Sequence, residues 1–93
     1  MSWYVYLLRC ADTTFYTGIT TDPKRRLSEH NQDDKKAAKY TRARRPLTMV
    51  YLEPCKSRSA AGSREYAIRK LSRYKKQALV DAMEGQLPAI SSI

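Results

Sequence analysis

The sequence is poor in the residues that form disulfides and structural metal sites. It contains two cysteines, Cys10 and Cys55, and a single histidine. With no CxxC pair and one histidine, a structural zinc site lacks ligands. We therefore expect two reduced thiols and a cytoplasmic protein, because free thiols are the rule in that compartment.

Long apolar runs are also missing. No segment approaches the roughly 20 consecutive apolar residues that cross a bilayer, so no membrane span is expected. The first ten residues lack both a basic start and a small-residue cleavage site, and we do not interpret them as a signal peptide. The 93 residues leave room for one domain. We predict that it covers residues 1–85, followed by a C-terminal tail over 86–93.

Acidic residues are in short supply. Nine Asp and Glu face eighteen Lys and Arg, which gives a net charge of +9 at pH 7. A small domain with this charge is typical of proteins that bind a polyanion, and nucleic acid is the commonest such partner. An anionic membrane surface is the rival partner, but no basic residues are interleaved with a long apolar helical face. Simple solubility remains the alternative interpretation of the charge.

Two segments with alternating side chains predict a β-hairpin over 2–9 and 14–20, joined by the short polar connection 10–13. Period-two alternation divides the hairpin side chains between two faces. The more apolar face, expected to be the core face, holds Trp3, Val5, Leu7, Phe15 and Ile19. The other face gathers the phenols of Tyr4, Tyr6 and Tyr16. Three phenols on one side suggest a lined surface, although tyrosine is also simply a good strand former.

A helix start follows the hairpin. Asp22 is a plausible N-cap and Pro23 suits the first helical position, which predicts a helix over 23–31. Arg26 and His30 are four residues apart, so they should share a face of this helix.

The second half of the chain predicts a third strand over 47–53, ended by Pro54, and two helices over 59–72 and 74–84. The apolar stripe of the first of these helices is predicted at Ala60, Ala67, Ile68 and Leu71. Glu65 then lies on the flank of that stripe, and Gly85 is the expected stop of the last helix. The order β-β-α-β-α-α predicts a small α+β fold, a three-stranded antiparallel sheet flanked by helices.

At this point the sequence resembles a known family. Tyr4-Val5-Tyr6, followed ten residues later by Tyr16-Thr17-Gly18, resembles the two halves of the GIY-YIG nuclease signature. Arg26 falls where that family has its catalytic arginine, His30 where it often has His or Tyr, and Glu65 where it has its metal-binding glutamate. The resemblance covers about residues 2–84 and is greatest to short, stand-alone bacterial members.

The sequence departs from the family pattern at several positions. Tyr4 stands in place of glycine, Val5 and Thr17 in place of isoleucine. Family members often have an asparagine after the glutamate, whereas Asn31 is the only asparagine here. These departures put rate and substrate in question more than the fold.

The resemblance implies a catalytic set of Tyr6, Tyr16, Arg26, His30 and Glu65. Glu65 would hold one Mg²⁺ or Mn²⁺, for which a single carboxylate suffices when water and phosphate supply the other ligands. Arg26 would hold a phosphate oxygen through its planar fork of donors. The base that takes a proton from the attacking water is left open among Tyr16, Tyr6 and His30. Gly18 would keep a side chain out of the path of the phosphate.

A basic stretch over 35–45 is the predicted backbone-binding surface, with a mobile solvated loop as the alternative. Its predicted nucleic-acid contacts are Lys36, Lys39, Tyr40, Arg42, Arg44 and Arg45, with the tyrosine available for stacking. No base-reading motif is present, so no sequence selectivity is indicated.

The function that the resemblance implies is a metal-dependent endonuclease, active on DNA more than on RNA, with branched, nicked or damaged structures as candidate substrates and DNA repair as its setting. The first alternative is a non-catalytic nucleic-acid-binding module on the same fold. A third hypothesis is a small adaptor in a protein complex, which should bind nucleic acid weakly and with a small salt dependence.

Overall fold

The computed structural model describes residues 2–87, so most of the predicted tail 86–93 lies outside the described residues. The element order is β1 Trp3–Arg9, β2 Phe15–Thr20, α1 Pro23–Gln32, α2 Lys39–Arg42, β3 Thr48–Cys55, α3 Arg58–Arg69 and α4 Arg73–Met83. The predicted α+β class and the order β-β-α-β-α-α are confirmed. The short helix α2, which lies within the basic stretch, is an addition to the prediction.

The three strands form one antiparallel sheet in the order β2-β1-β3. The central strand β1 has Tyr6 directly opposite Gly18 of β2 and Leu52 of β3. Strand β3 continues through Pro54 to Cys55, so the prediction that Pro54 ends it was wrong. The sheet accepts this proline because β3 is an edge strand, where a residue without an N–H is tolerated.

Helices cover both faces of the sheet. On one face the buried cluster Val5, Leu7, Val50, Tyr51, Ile68 and Val80 joins the sheet to α3 and α4. On the other face a second cluster contains Tyr6, Leu8, Cys10, Leu27, Leu47 and Met49 and brings in α1. The hairpin faces were therefore predicted correctly, but the tyrosine face is a second core rather than an open surface. Tyr6 itself is 1% exposed.

The helix ends follow the local sequence. Asp22 caps α1 as predicted, because its Oδ1 accepts a hydrogen bond of 3.1 Å from the Arg25 N–H. Ser57 and Ser72 cap α3 and α4 in the same way. Gly85 has φ of +81°, the left-handed conformation that ends helices after the C-cap and that glycine adopts without strain.

Helix α3 is rotated relative to the prediction. Of the predicted stripe, Ile68 is fully buried and Leu71 half-buried, as expected, but Ala60 and Ala67 are exposed and Ala61 is fully buried in their place. Glu65 lies four residues after Ala61 and three before Ile68, so it shares the packed side of the helix rather than its flank. The rotation therefore directs Glu65 toward the sheet.

Candidate functional site

At the centre of the candidate site, the Tyr6 side chain packs directly over Gly18. Because these two residues are partners across β1 and β2, a Cβ on Gly18 would overlap the Tyr6 hydroxyl and ring far inside the normal contact distance. The glycine was predicted to leave a path for phosphate. Its nearest neighbour is instead the Tyr6 ring, so glycine at this position is what allows Tyr6 to lie across β2.

Behind Tyr6 lies a chain of three buried hydrogen bonds. The Tyr6 hydroxyl is 2.8 Å from His30 Nε2, and His30 Nδ1 is 2.8 Å from the Thr41 Oγ1. Thr41 donates its own proton to the Ala38 carbonyl at 2.9 Å. Thr41 must therefore accept from His30 Nδ1–H, which leaves Nε2 to accept from the Tyr6 hydroxyl. The network thus assigns one tautomer of His30 and one direction to each bond.

Burial determines the charge state of this chain. It lowers the pKa of His30 to about 4, and the nearby charge of Arg26 acts in the same direction. Burial also raises the pKa of Tyr6, and the charge of Arg26 opposes that shift only in part. Both groups are therefore neutral near pH 7. His30 is 0% exposed, so it is neither a surface helix residue nor in reach of bulk water.

Tyr16 lies on the open side of the same assembly. Its ring centroid is 5.3 Å from that of His30 in an edge arrangement and 6.1 Å from that of Tyr40 in a stacked one. Tyr16 is half-buried and borders a groove of about 410 Å³ along β2. The residues that line this groove are Phe15, Tyr16, Thr17, Tyr40, Arg69 and Lys76.

Arg26 approaches Tyr6 from α1, one turn before His30. Its Nη1 donates to Glu29 Oε1 at 3.0 Å and to the Lys36 carbonyl at 2.7 Å. Its positive charge is close enough to Tyr6 to lower the pKa of that phenol against the effect of burial. Two protein oxygens thus orient Arg26, and its side chain is half-buried. The other cations of α1, Lys24 and Arg25, are exposed instead.

Glu65 reaches the site from α3. Its side chain is 22% exposed and forms an ion pair of 2.6 Å with Arg69. Its negative charge raises the pKa of Tyr6, in addition to the larger effect of burial, so the carboxylate lies near the phenol. Within residues 2–87 no three His, Cys, Asp or Glu side chains gather into a cluster able to hold a metal ion.

The predicted binding stretch 35–45 proves to be held by the protein itself. Arg44 Nε donates to Asp12 Oδ2 at 3.0 Å. Arg45 donates to Asp34 Oδ1 at 2.7 Å and to the His30 carbonyl at 2.8 Å. Arg42 likewise donates to the Asp34 carbonyl at 2.8 Å. These arginines connect the loop to the rest of the fold, in addition to any contact with a ligand.

The ring of Tyr40, the predicted stacking residue of that stretch, is covered on both faces, although the residue is 37% exposed. The Arg44 guanidinium lies 3.8 Å from its ring centroid on one side, and Tyr16 stacks against it on the other. Its hydroxyl donates to Thr14 Oγ1 at 2.7 Å. The remaining members of the predicted set, Lys36 and Lys39, are exposed.

Asn31 has no free polar atoms to offer the site. Its side chain donates to the Leu47 carbonyl at 3.0 Å and accepts from the Leu47 N–H at 2.8 Å. These two hydrogen bonds to the backbone of one residue fix the start of β3 against α1. Asn31 therefore does not take over the role of the asparagine that the sequence lacks after Glu65.

Three residues of the site were not predicted. Arg69 and Lys76 line the groove beside Tyr16, and Thr41 holds His30. The four-residue spacing of Glu65 and Arg69 in one helix was a signal that could have indicated their ion pair. No local pattern indicated Thr41, because its partner lies eleven residues away in α1.

Two further findings concern the cysteines and the hydropathy of the described residues. Cys10 and Cys55 are both free thiols, the first buried and the second half-buried. None of the helices between residues 2 and 87 has the length and hydropathy needed to cross a bilayer.

Comparison with known proteins by family model, by sequence and by structure gives consistent results. The model of the GIY-YIG catalytic domain matches residues 2–78. A UPF0213 protein from Desulfotalea psychrophila is 53% identical over 89 residues, which cover 96% of this chain and 80% of the relative. Another from Halobacterium salinarum is 51% identical and covers 82% of this chain and 96% of the relative. The solution NMR structure of a Bacillus halodurans UPF0213 protein is 43% identical, with a TM-score of 0.58 over 92% of this chain and 89% of that one.

Proposed function

This chain belongs to the GIY-YIG family, and from that premise we propose that it is a metal-dependent endonuclease that hydrolyses phosphodiester bonds of DNA, including structured or damaged DNA. One observation carries the proposal. Tyr16, Arg26 and Glu65, from β2, α1 and α3, lie close enough to Tyr6 of β1 to affect the pKa of its phenol, and Tyr16 borders an open groove. A role in DNA repair, in the cytoplasm, is part of the same proposal.

Arg26 is the residue for phosphate binding. Glu29 and the Lys36 carbonyl fix one end of its guanidinium, so the planar group is already oriented before substrate arrives. A guanidinium can hold two oxygens of one phosphate, and its charge is best placed to stabilise the negative charge that develops at phosphorus. Preorganisation of this kind makes the interaction stronger in the transition state without a cost for ordering the side chain.

Tyr16 is the residue proposed to take the proton of the attacking water. It borders the groove, whereas Tyr6 and His30 are buried and already bonded to one another. Tyr6 donates its proton to His30, and its raised pKa keeps it neutral, so it is poorly suited to the base role. Tyr6, His30 and Thr41 instead form a rigid support against which Tyr16 rests.

Glu65 would hold the metal ion. One half-buried carboxylate fits a hydrated Mg²⁺ or Mn²⁺, since magnesium keeps several waters and is often bound by one or two carboxylates plus phosphate. A bound ion supplies neutralisation of phosphate charge and stabilisation of the departing oxygen. Arg69 contacts Oε2 of Glu65 and also lines the groove, so its guanidinium would lie beside a phosphate bound there.

The alternative is a nucleic-acid-binding module without cleavage. The Glu65–Arg69 ion pair favours it, because it satisfies the carboxylate inside the protein. In that case Glu65 is a structural partner of Arg69 and nothing more.

The test is cleavage of a labelled panel of single strand, duplex, flap, junction and RNA with Mg²⁺ or Mn²⁺, and without metal. We expect metal-dependent cutting that Glu65→Gln reduces by at least about 100-fold with binding intact. Glu84→Gln, which changes an exposed carboxylate at the end of α4, is the matched control and should cut as wild type does. Equal binding by wild type and Glu65→Gln with no cutting under either metal would replace the nuclease by the binding module.

A further inference from the structure

The turn between α3 and α4 carries a second basic surface, which we call the α3–α4 face and define as residues 66–76. This segment contains five cations and no carboxylate: Arg69, Lys70, Arg73, Lys75 and Lys76. Of these five cations, Arg69 alone forms an ion pair with another residue of the described range 2–87. The other four charges are thus available to neutralise an anion from outside.

The same face exposes two aromatic rings. Tyr66 is 60% and Tyr74 83% exposed, the largest exposed fractions among the exposed large hydrophobic side chains of the described residues. The Lys70 ammonium lies 4.5 Å from the ring centroid of Tyr66, so one phenol and one cation are already side by side. Exposed phenols next to unpaired cations have the two elements that bind unpaired nucleotides, a stacking surface and phosphate partners.

The face is continuous with the groove at Tyr16. Arg69 and Lys76 belong to both, since they line the groove and lie within the segment 66–76. Arg73 fixes the start of α4 beside the groove, because its Nη1 donates to the Thr13 carbonyl at 2.8 Å and its guanidinium lies 5.6 Å from the Phe15 ring. Tyr66 precedes Arg69 by three residues on α3, so the two side chains are neighbours on that helix, and Tyr74 lies in the first turn of α4, next to Arg73 in the sequence.

From these observations we infer that the α3–α4 face binds a single strand of nucleic acid that runs into the groove, with unpaired bases stacked on Tyr66 and Tyr74. The cations alone would bind a duplex as well as a single strand, because both carry phosphates. Exposed phenols distinguish the two, since bases inside a duplex are already stacked on one another and only unpaired bases offer a free face. The ligand chemistry is shared by single-stranded DNA and RNA.

The direction of the strand rests on the proposed function, but the binding does not, and the test separates them. Affinity is measured by fluorescence anisotropy, without metal, for labelled oligothymidylate, oligouridylate and duplex DNA of about 20 nucleotides, long enough for one such surface. Wild type is compared with Tyr66→Ala and Tyr74→Ala, and with Tyr66→Phe and Tyr74→Phe, which keep the stacking ring.

We expect each alanine variant to bind oligothymidylate about 5- to 150-fold more weakly, the range for loss of one stacked base. Each phenylalanine variant should stay within about threefold of wild type, and duplex affinity should not change. The ratio of oligothymidylate to oligouridylate affinity then identifies DNA or RNA as the strand. Alanine variants with unchanged oligothymidylate affinity, or with an equal loss on duplex, would overturn the inference. If the expected losses occur in a protein that never cuts, the binding face stands and the nuclease fails.

Discussion

The two basic segments of the chain, 35–45 and 66–76, have similar compositions and differ in what their cations contact. In the first, arginine side chains are bonded to Asp12, Asp34 and backbone carbonyls. In the second, only Arg69 has an ionic partner among the described residues. A run of Lys and Arg therefore indicates a polyanion partner for the whole domain, but it does not tell which run contacts it. That depends on whether the protein has already neutralised the charges.

The first segment, residues 35–45, also packs against the buried part of the site. It contributes Thr41 to His30 Nδ1 and Arg45 to the His30 carbonyl, so it belongs to the core around Tyr6 as much as to the surface. The α3–α4 face contributes Ile68 to the main core, but its cations Arg69 and Lys76 line the open groove. Substitutions in the first segment should thus change stability, and substitutions in the second should change binding. Four predictions test this difference, from the largest expected effect to the smallest.

Acid should destabilise the fold through His30. Its folded pKa of about 4 lies below the ordinary value of 6.5, so the neutral form is favoured in the folded state. As pH falls, the unfolded chain takes up the proton first; the stabilisation is complete above about pH 6.5 and is lost progressively toward pH 4. The shift corresponds to about 3 kcal/mol. Urea denaturation across this window measures it, and a free energy of unfolding that stays flat between about pH 7 and about pH 4.5 would contradict it.

Thr41→Val should cost about 1–3 kcal/mol of stability, because it keeps the shape of the side chain but leaves the buried His30 Nδ1–H without an acceptor. Thr41→Ser keeps the hydroxyl and should recover most of the loss. On the other segment, Lys75→Ala should stay within about 0.5 kcal/mol of wild type, as exposed substitutions usually do. Thermal unfolding of all three variants is the measurement, and equal losses for Thr41→Val and Lys75→Ala would erase the contrast.

The salt dependence of binding should respond to the free cations and not to the paired ones. Lys76→Ala removes a charge that lines the groove and should lower the slope of log affinity against log salt by about 0.9. The double variant Asp12→Asn with Arg44→Ala removes one complete ion pair and should leave the slope unchanged. Anisotropy titrations over a series of salt concentrations compare them. A larger change of slope in the double variant would mean that Arg44 contacts phosphate despite its partner.

Tyr40→Phe should have the smallest effect. It removes the hydrogen bond to Thr14 Oγ1 while the ring remains between Arg44 and Tyr16, so a loss of about 0.5–1 kcal/mol is expected for this partly exposed bond. Affinity for nucleic acid should be unchanged, since Arg44 and Tyr16 already cover both faces of the ring. Loss of affinity in this variant, measured beside its thermal unfolding, would restore Tyr40 as the stacking residue of the loop.

Local patterns were sufficient for most of the fold. Period-two alternation gave the hairpin and both of its faces, and Asp22-Pro23 gave the start of α1. The second core was missed because tyrosines in a strand are compatible with burial and with exposure alike. The phase of α3 was missed because Ala60, Ala61 and Gly62 are all small, and small residues give a helix no clear apolar side.

The site could be predicted only as a set of residues. The spacing of Tyr6, Tyr16, Arg26 and Glu65 identified which side chains to expect together. It could not show that His30 is buried and neutral, since that depends on Thr41 and on the packing of α1. Nor could it show that Arg44 is paired with Asp12, because 32 residues separate them and only the folded hairpin brings them into contact. Charge pairing between distant segments is a property of the tertiary structure.

The most direct test of the account is single-turnover cleavage by Tyr16→Phe, which removes only the hydroxyl that borders the groove. Tyr51→Phe removes a hydroxyl that bonds to Glu53 away from the groove and is the matched control. The account predicts that Tyr16→Phe loses about 100-fold or more in rate, as expected for removal of a general base, with the fold and nucleic-acid affinity unchanged. A rate within a few-fold of wild type would contradict it and would show that the proton leaves the water by another route.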